Sequence, residues 1–261
     1  MRLIELFALG KRFKEVQAVD SLSFKVKGGE IFGLLGENGA GKTTTLRMLA
    51  TMLKPTSGTA EICGFDITKQ PTEVRSHIGI LFGGESGLYD RLTARENIAY
   101  FGKLNDMTDS ELDQRLDMLC QTLEMEEFID RRVGKFSKGM KQKVTIARAI
   151  VHNPEVMLLD EPTVGLDVMA ARTLQDFIAQ CRDQNKAVII SSHTMSEVER
   201  LCDRIGIIHK GRLVAIGGTK ELKEQYNSNN LEDVFIQLTG VKSNEKSMDR
   251  VPERNKRRFP R

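Results

Sequence analysis

The sequence predicts an α/β fold interrupted by a helical subdomain. Three observations carry that reading: apolar strand runs in the first third, a switch to helical period between Thr93 and Arg131, and buried strand runs returning after Pro154.

The early strand runs fall at residues 3–7, 22–26, 30–35 and 59–63, separated by glycine turns and by Pro55-Thr56-Ser57-Gly58. Thr93-Ala94-Arg95-Glu96 is a capping box, in which the threonine and glutamate side chains satisfy each other's backbone N–H. Ile98, Phe101 and Leu104 follow at helical spacing. A second box, Thr108-Asp109-Ser110-Glu111, precedes Leu112, Leu116, Leu119, Cys120 and Leu123. The helical insertion therefore spans about residues 93–150. Runs at 156–159, 187–190 and 205–208 read as buried strands, and no internal repeat is visible.

Composition narrows the function classes. Hydrophobic residues at 40% and charged residues at 29% describe an ordinary globular chain. No run of about 18 apolar residues exists, so no segment is expected to span a bilayer. Met1-Arg2-Leu3-Ile4-Glu5 lacks the apolar core of a secretory signal, and a cytosolic location is expected. Cys63, Cys120, Cys181 and Cys202 form no Cys-x-x-Cys pair, which excludes the common zinc spacings and predicts reduced, mostly buried thiols. Net charge is +3, but residues 241–261 hold eight basic and three acidic side chains, leaving the body at −2. That balance argues against a nucleic-acid partner, and it predicts a folded domain over 1–240 followed by a basic, disordered tail.

The strongest motif is Gly36-Glu37-Asn38-Gly39-Ala40-Gly41-Lys42-Thr43, entered from an apolar strand and left through a helix over 44–53. This is the pattern of a phosphate loop. Glycines let backbone N–H groups curl around phosphate oxygens at a helix N-terminus, Lys42 reaches the β/γ-phosphates, and the Thr43 hydroxyl takes Mg²⁺. Thr44 continues the cradle into the helix. Further on, Val156-Met157-Leu158-Leu159 delivers Asp160 and Glu161 at a strand end. Asp160 suits a Mg²⁺ ligand acting through water, and Glu161 suits the base that orients or deprotonates the attacking water.

Phe136-Ser137-Lys138-Gly139-Met140-Lys141-Gln142 resembles the ABC signature Leu-Ser-Gly-Gly-Gln, with Ser137 and Gly139 kept and Lys138 and Met140 substituted. Gly165-Leu166-Asp167 looks like the D-loop of that family, and Ser191-Ser192-His193 looks like its switch histidine. Phe13 sits where the family stacks an aromatic ring on adenine. In this order the resemblance covers about residues 3–220. It implies a RecA-like P-loop NTPase core with an antiparallel β subdomain and a helical (signature) subdomain. It also implies ATP and Mg²⁺ as ligands.

One run departs from the family pattern. Where a glutamine usually touches Mg²⁺ and the membrane subunit, the chain reads Phe82-Gly83-Gly84-Glu85-Ser86-Gly87-Leu88-Tyr89. Water or Glu85 is the alternative donor there. This run and Asp90-Arg91-Leu92-Thr93-Ala94-Arg95-Glu96-Asn97 after it, with the Phe136–Lys143 stretch, resemble the NatA branch of bacterial exporters, associated with sodium extrusion.

The resemblance further implies a head-to-tail dimer, with a second copy or a paralogous subunit, in which Ser137 and Gly139 of one chain complete the γ-phosphate site of the other. A separate multi-span membrane subunit would receive the motion through the helical segment after Leu92, placing the chain at the cytoplasmic face of the membrane. Two rivals from other classes remain: a soluble non-transport ABC ATPase of translation or repair, and a catalytically weak regulatory subunit. A single cassette, with neither sustained heptads nor Cys-x-x-Cys, disfavours the first. Without an Asn-Lys-x-Asp base-reading motif the chain does not read as a GTPase. Cargo specificity belongs to the membrane partner.

Overall fold

The computed structural model describes residues 1–82 and 87–240. Gly83, Gly84 and Glu85 of the departing run, and the basic tail over 241–261, lie outside the described residues.

The chain opens with β1 (Arg2–Phe13), β2 (Val16–Leu22), β3 (Lys25–Lys27) and β4 (Ile31–Leu35), then α1 (Lys42–Leu49), β5 (Ser57–Ile62), β6 (Phe65–Asp66), α2 (Pro71–His77) and β7 (Ile78–Phe82). The helices α3 (Ala94–Leu104), α4 (Asp109–Thr122) and α5 (Lys138–Ile150) follow, with a 3₁₀ turn (Val133–Lys135) before α5. The rest alternates: β8 (Val156–Asp160), α6 (Val168–Asp183), β9 (Ala187–Ser192), α7 (Met195–Leu201), β10 (Arg204–His209), β11 (Arg212–Gly218), α8 (Thr219–Gln225) and α9 (Leu231–Thr239).

Two sheets result. A five-stranded antiparallel sheet orders β2-β1-β5-β6, with β3 also on β1. A six-stranded sheet orders β11-β10-β4-β9-β8-β7, parallel except for β11 at its edge. Every residue of β4, β8 and β9 is buried, as strands covered on both faces require. Along β8 the side chains alternate between two cores. Val156 and Leu158 pack with Leu46 of α1 and with Ile4 and Leu6 of the antiparallel sheet. Met157 and Leu159 pack instead with Val144 of α5 and with Leu174 and Ile178 of α6.

Both capping boxes form. Thr93 Oγ1 accepts from Glu96 N at 3.1 Å, and Glu96 Oε2 accepts from Thr93 N at 2.7 Å. The same exchange joins Thr108 and Glu111. Fully buried Asn97 ties the helical segment to the chain before it: its amide donates to Tyr89 O and Thr93 O, and its Oδ1 accepts from Tyr89 N. Cys120, Cys181 and Cys202 are buried and Cys63 half-buried, all as free thiols. Burial pushes the Cys181 thiol up to about 12, so it stays protonated.

Several boundaries differ from the sequence-based expectation. The run 22–26 is not one strand: β2 ends at Leu22 and β3 starts at Lys25. The Ser23 hydroxyl takes the Ala8 N–H at 2.9 Å, a side-chain bond in place of a ladder bond. The helix after the phosphate loop begins at Lys42 and stops at Leu49, just before Thr51 turns left-handed at φ 57°. Helix α5 begins at Lys138, capped by Ser137.

Leu158 is fully buried between β7 and β9. Leu158→Ala should cost about 2–5 kcal/mol of folding stability. Urea denaturation measures it, and an unchanged midpoint would contradict the two-core arrangement.

Candidate active site

The sheet register assembles the site. Leu35 at the end of β4 lies opposite Ser192, and Asp160 at the end of β8 lies opposite Ser191. The phosphate loop, the paired carboxylates and the serine pair before His193 thus emerge side by side at the C-terminal edge of the parallel strands. In open α/β sheets this edge is where ligands bind.

The loop over residues 36–43 turns on glycine. Gly41 caps α1 at φ 108°, and a Cβ there would lie 2.5 Å from Ala18 O, so any other residue is excluded twice over. A Cβ on Gly39 would meet nothing within 4 Å, so at this point the cradle faces open space. With no side-chain cap on α1, its first-turn N–H groups are available to an anion. The Lys42 ammonium is 4% exposed and donates to Gly36 O at 2.6 Å and Glu37 O at 3.0 Å. Burial pushes its pKa down, while the charges of Glu161 and Asp160 pull it back up. Asn38 is exposed, Ala40 buried, and Thr44 half-buried in the first turn of α1.

Asp160 Oδ1 accepts from the Thr43 hydroxyl at 3.0 Å and from the Ser191 hydroxyl. This pairs a hydroxyl and a carboxylate oxygen at the loop's exit. Hard oxygen donors of this kind suit Mg²⁺, so the residues present fit the ion. Glu161, next along, adopts a left-handed φ of 46°, uncommon outside glycine, and its N–H is held by both Ser191 O (3.1 Å) and Ser191 Oγ (3.0 Å). The turn aims its carboxylate back at the loop: Oε1 accepts from His193 Nδ1 at 3.1 Å and lies 3.7 Å from the Lys42 ammonium.

The remaining candidates stand on other elements. Phe13 is 46% exposed at the end of β1, its ring 5.2 Å from the Lys11 ammonium. Ser137 and Gly139 stand at the start of α5, where Ser137 Oγ accepts from Met140 N at 3.3 Å and a Cβ on Gly139 would meet nothing within 4 Å. Asp167 caps α6 through Ala170 N.

A family model described as "ABC transporter" matches residues 19–164, more than half of the chain and the span from the phosphate loop to the paired carboxylates. The chain belongs to the ABC transporter family. As a member it is a nucleotide-binding ATPase. It is 45% identical to "ABC transporter ATP-binding protein NatA" of Bacillus subtilis (strain 168), over 90% of this chain and 97% of that one. To "Linearmycin resistance ATP-binding protein LnrL" of the same organism it is 38% identical, over 88% of this chain and 72% of the relative. A solved "Structure of ATP binding subunit of ABC transporter" superposes at TM-score 0.82 with 28% identity, covering 90% of this chain and 99% of that chain. The NatA resemblance read from the sequence is thereby borne out.

Sequence reasoning missed Glu197. This carboxylate, 8% exposed, accepts from Thr163 Oγ1 at 2.6 Å and from Ser192 Oγ at 2.7 Å. Ser192 Oγ in turn accepts from Thr194 N at 3.0 Å. One buried acid therefore ties the segment after Glu161 to the segment bearing His193. Glu197→Ala strands two hydroxyls and should cost about 1–3 kcal/mol of stability, read by chemical denaturation. An unchanged midpoint would show that the bridge contributes nothing.

Proposed function

We propose that this chain is the ATP-hydrolysing subunit of an exporter, acting at the cytoplasmic face of the membrane through a separate multi-span membrane subunit. The observation that carries the reading is the convergence of Lys42 and His193 on one oxygen of Glu161, beside the Thr43–Asp160 pair.

The geometry supports the following roles in order. The backbone N–H groups over residues 36–44 bind the phosphate chain, with Lys42 neutralising the β/γ oxygens. Thr43 and Asp160 hold Mg²⁺, which when bound would polarise the phosphoryl oxygens. Glu161 is held by a rigid backbone turn and orients the attacking water or takes its proton. His193 donates to Glu161 through Nδ1, which keeps that carboxylate in place and leaves Nε2 directed elsewhere. Phe13, exposed at a strand end, offers a face for the adenine ring.

Ser137 and Gly139 are presented on an exposed helix start rather than turned into their own chain's loop, which supports a role across a dimer interface. Charge-assisted bonds from both chains to the γ-phosphate would close a head-to-tail pair, and cleavage would remove them, so nucleotide state becomes subunit separation. The partner is a second copy or a paralogous subunit. Among the described residues no helix is long and apolar enough to cross a membrane. The likeness to the NatA branch supports sodium or another small cation as cargo, and the likeness to a linearmycin resistance protein supports a drug.

Glu161→Gln should keep ATP binding while slowing steady-state hydrolysis by about 100- to 10,000-fold. It should also accumulate an ATP-dependent dimer on gel filtration, because closure needs ATP and opening needs cleavage. Turnover at the unmutated rate would remove Glu161 from the chemistry.

A further inference from the structure

Away from the nucleotide site, three side chains of different chemistry meet where the antiparallel sheet joins the core. Cys63 follows β5 at the turn into β6, His77 ends α2, and Glu155 leads into β8. One ligand atom from each lies within 4.8 Å of the others. Their backbones are independently fixed. Cys63 sits at a left-handed φ of 51° with its N–H on Leu3 O, and Glu155 O accepts from Ala187 N at 2.9 Å. The His77 ring stacks on Phe65, with centroids 5.1 Å apart and planes 19° from parallel, and its Nδ1 meets Glu155 Oε2 at 2.9 Å.

We propose that Cys63, His77 and Glu155 form a site for a divalent cation of the zinc class. Sulfur, imidazole nitrogen and carboxylate oxygen together select a borderline-soft ion over Mg²⁺ or Ca²⁺. Zinc bonds of about 2.0–2.3 Å in a tetrahedron separate ligand atoms by about 3.3–3.7 Å, within reach of side-chain rotation alone. The charge also balances. A thiolate and a carboxylate neutralise the dication, His77 remains neutral, and one proton leaves the Cys63 thiol to solvent on binding. Three protein ligands leave a fourth position for water. The His77–Glu155 hydrogen bond accounts for two of these groups without a metal, but it leaves the approach of the half-buried thiol unexplained. Bound there, the ion would fasten the β5–β6 turn and the end of α2 to the strand that carries Asp160.

The test uses the full-length chain, stripped with chelator and held in excess Mg²⁺ so that the Thr43–Asp160 oxygens are competed. Zn²⁺ should bind in equimolar amount, and Co²⁺ in its place should give a near-ultraviolet thiolate-to-metal absorption. Cys63→Ser and His77→Ala should each weaken Zn²⁺ binding by more than the about 10- to 100-fold that changes around a metal's ligands cost. No uptake, no thiolate absorption with Co²⁺, or undiminished affinity in both variants would overturn the proposal. Should the variants fail to fold, the Co²⁺ spectrum of the unmutated chain decides alone.

Discussion

The register of three parallel strands is the constraint on which the site depends. β4, β9 and β8 pair so that Leu35 faces Ser192 and Ser191 faces Asp160, and the residues just beyond those ends are the candidates for the chemistry. Slipping β8 by one residue would turn Asp160 to the other face and move Leu158 and Leu159 into each other's cores. Because those strands are buried on both sides, the slip would be opposed by the packing of every apolar residue along them. The same burial that stabilises the fold therefore fixes the carboxylates against the phosphate loop.

Within that frame the site holds energy in one place and recovers it nearby. The left-handed turn at Glu161 costs about 1–3 kcal/mol, as such backbone positions do. Ser191 offsets part of that cost by accepting the Glu161 N–H with both its backbone and side-chain oxygens, while its hydroxyl proton goes to Asp160. Glu197 performs the matching task one layer out, joining Thr163 to Ser192. His193, the exposed member, thus stands on a segment anchored through its neighbour Ser192.

What the sequence made legible follows from how local each demand is. A phosphate loop needs glycine where φ is 108° and where Ala18 O leaves no room for a Cβ, so the demand is written in consecutive letters. The capping boxes at Thr93 and Thr108 are equally local, and both formed as read. Four apolar residues ending in Asp160-Glu161 announced a buried strand delivering acids. Glu197 was silent because its partner Thr163 is 34 residues away and a glutamate on a short helix normally faces water. Cys63 and His77 gave no signal for a similar reason, since their meeting with Glu155 depends on how two sheets are joined and matches no sequential ligand spacing. The break between β2 and β3 hid behind an unbroken alternation because a serine hydroxyl, not a ladder bond, takes the Ala8 amide.

Asp160 is where the strand register meets the proposed metal and catalytic roles, so the most direct measurement is the Mg²⁺ dependence of ATP hydrolysis by Asp160→Asn beside the unmutated chain. The neutral amide keeps the size of the side chain and its place opposite Ser191 but loses the charge proposed to hold the ion. The account predicts that hydrolysis collapses and that raising Mg²⁺ does not restore it, while the melting transition stays near that of the unmutated protein. Hydrolysis at the original rate, with the original Mg²⁺ requirement, would contradict the assignment of this strand end as the catalytic centre.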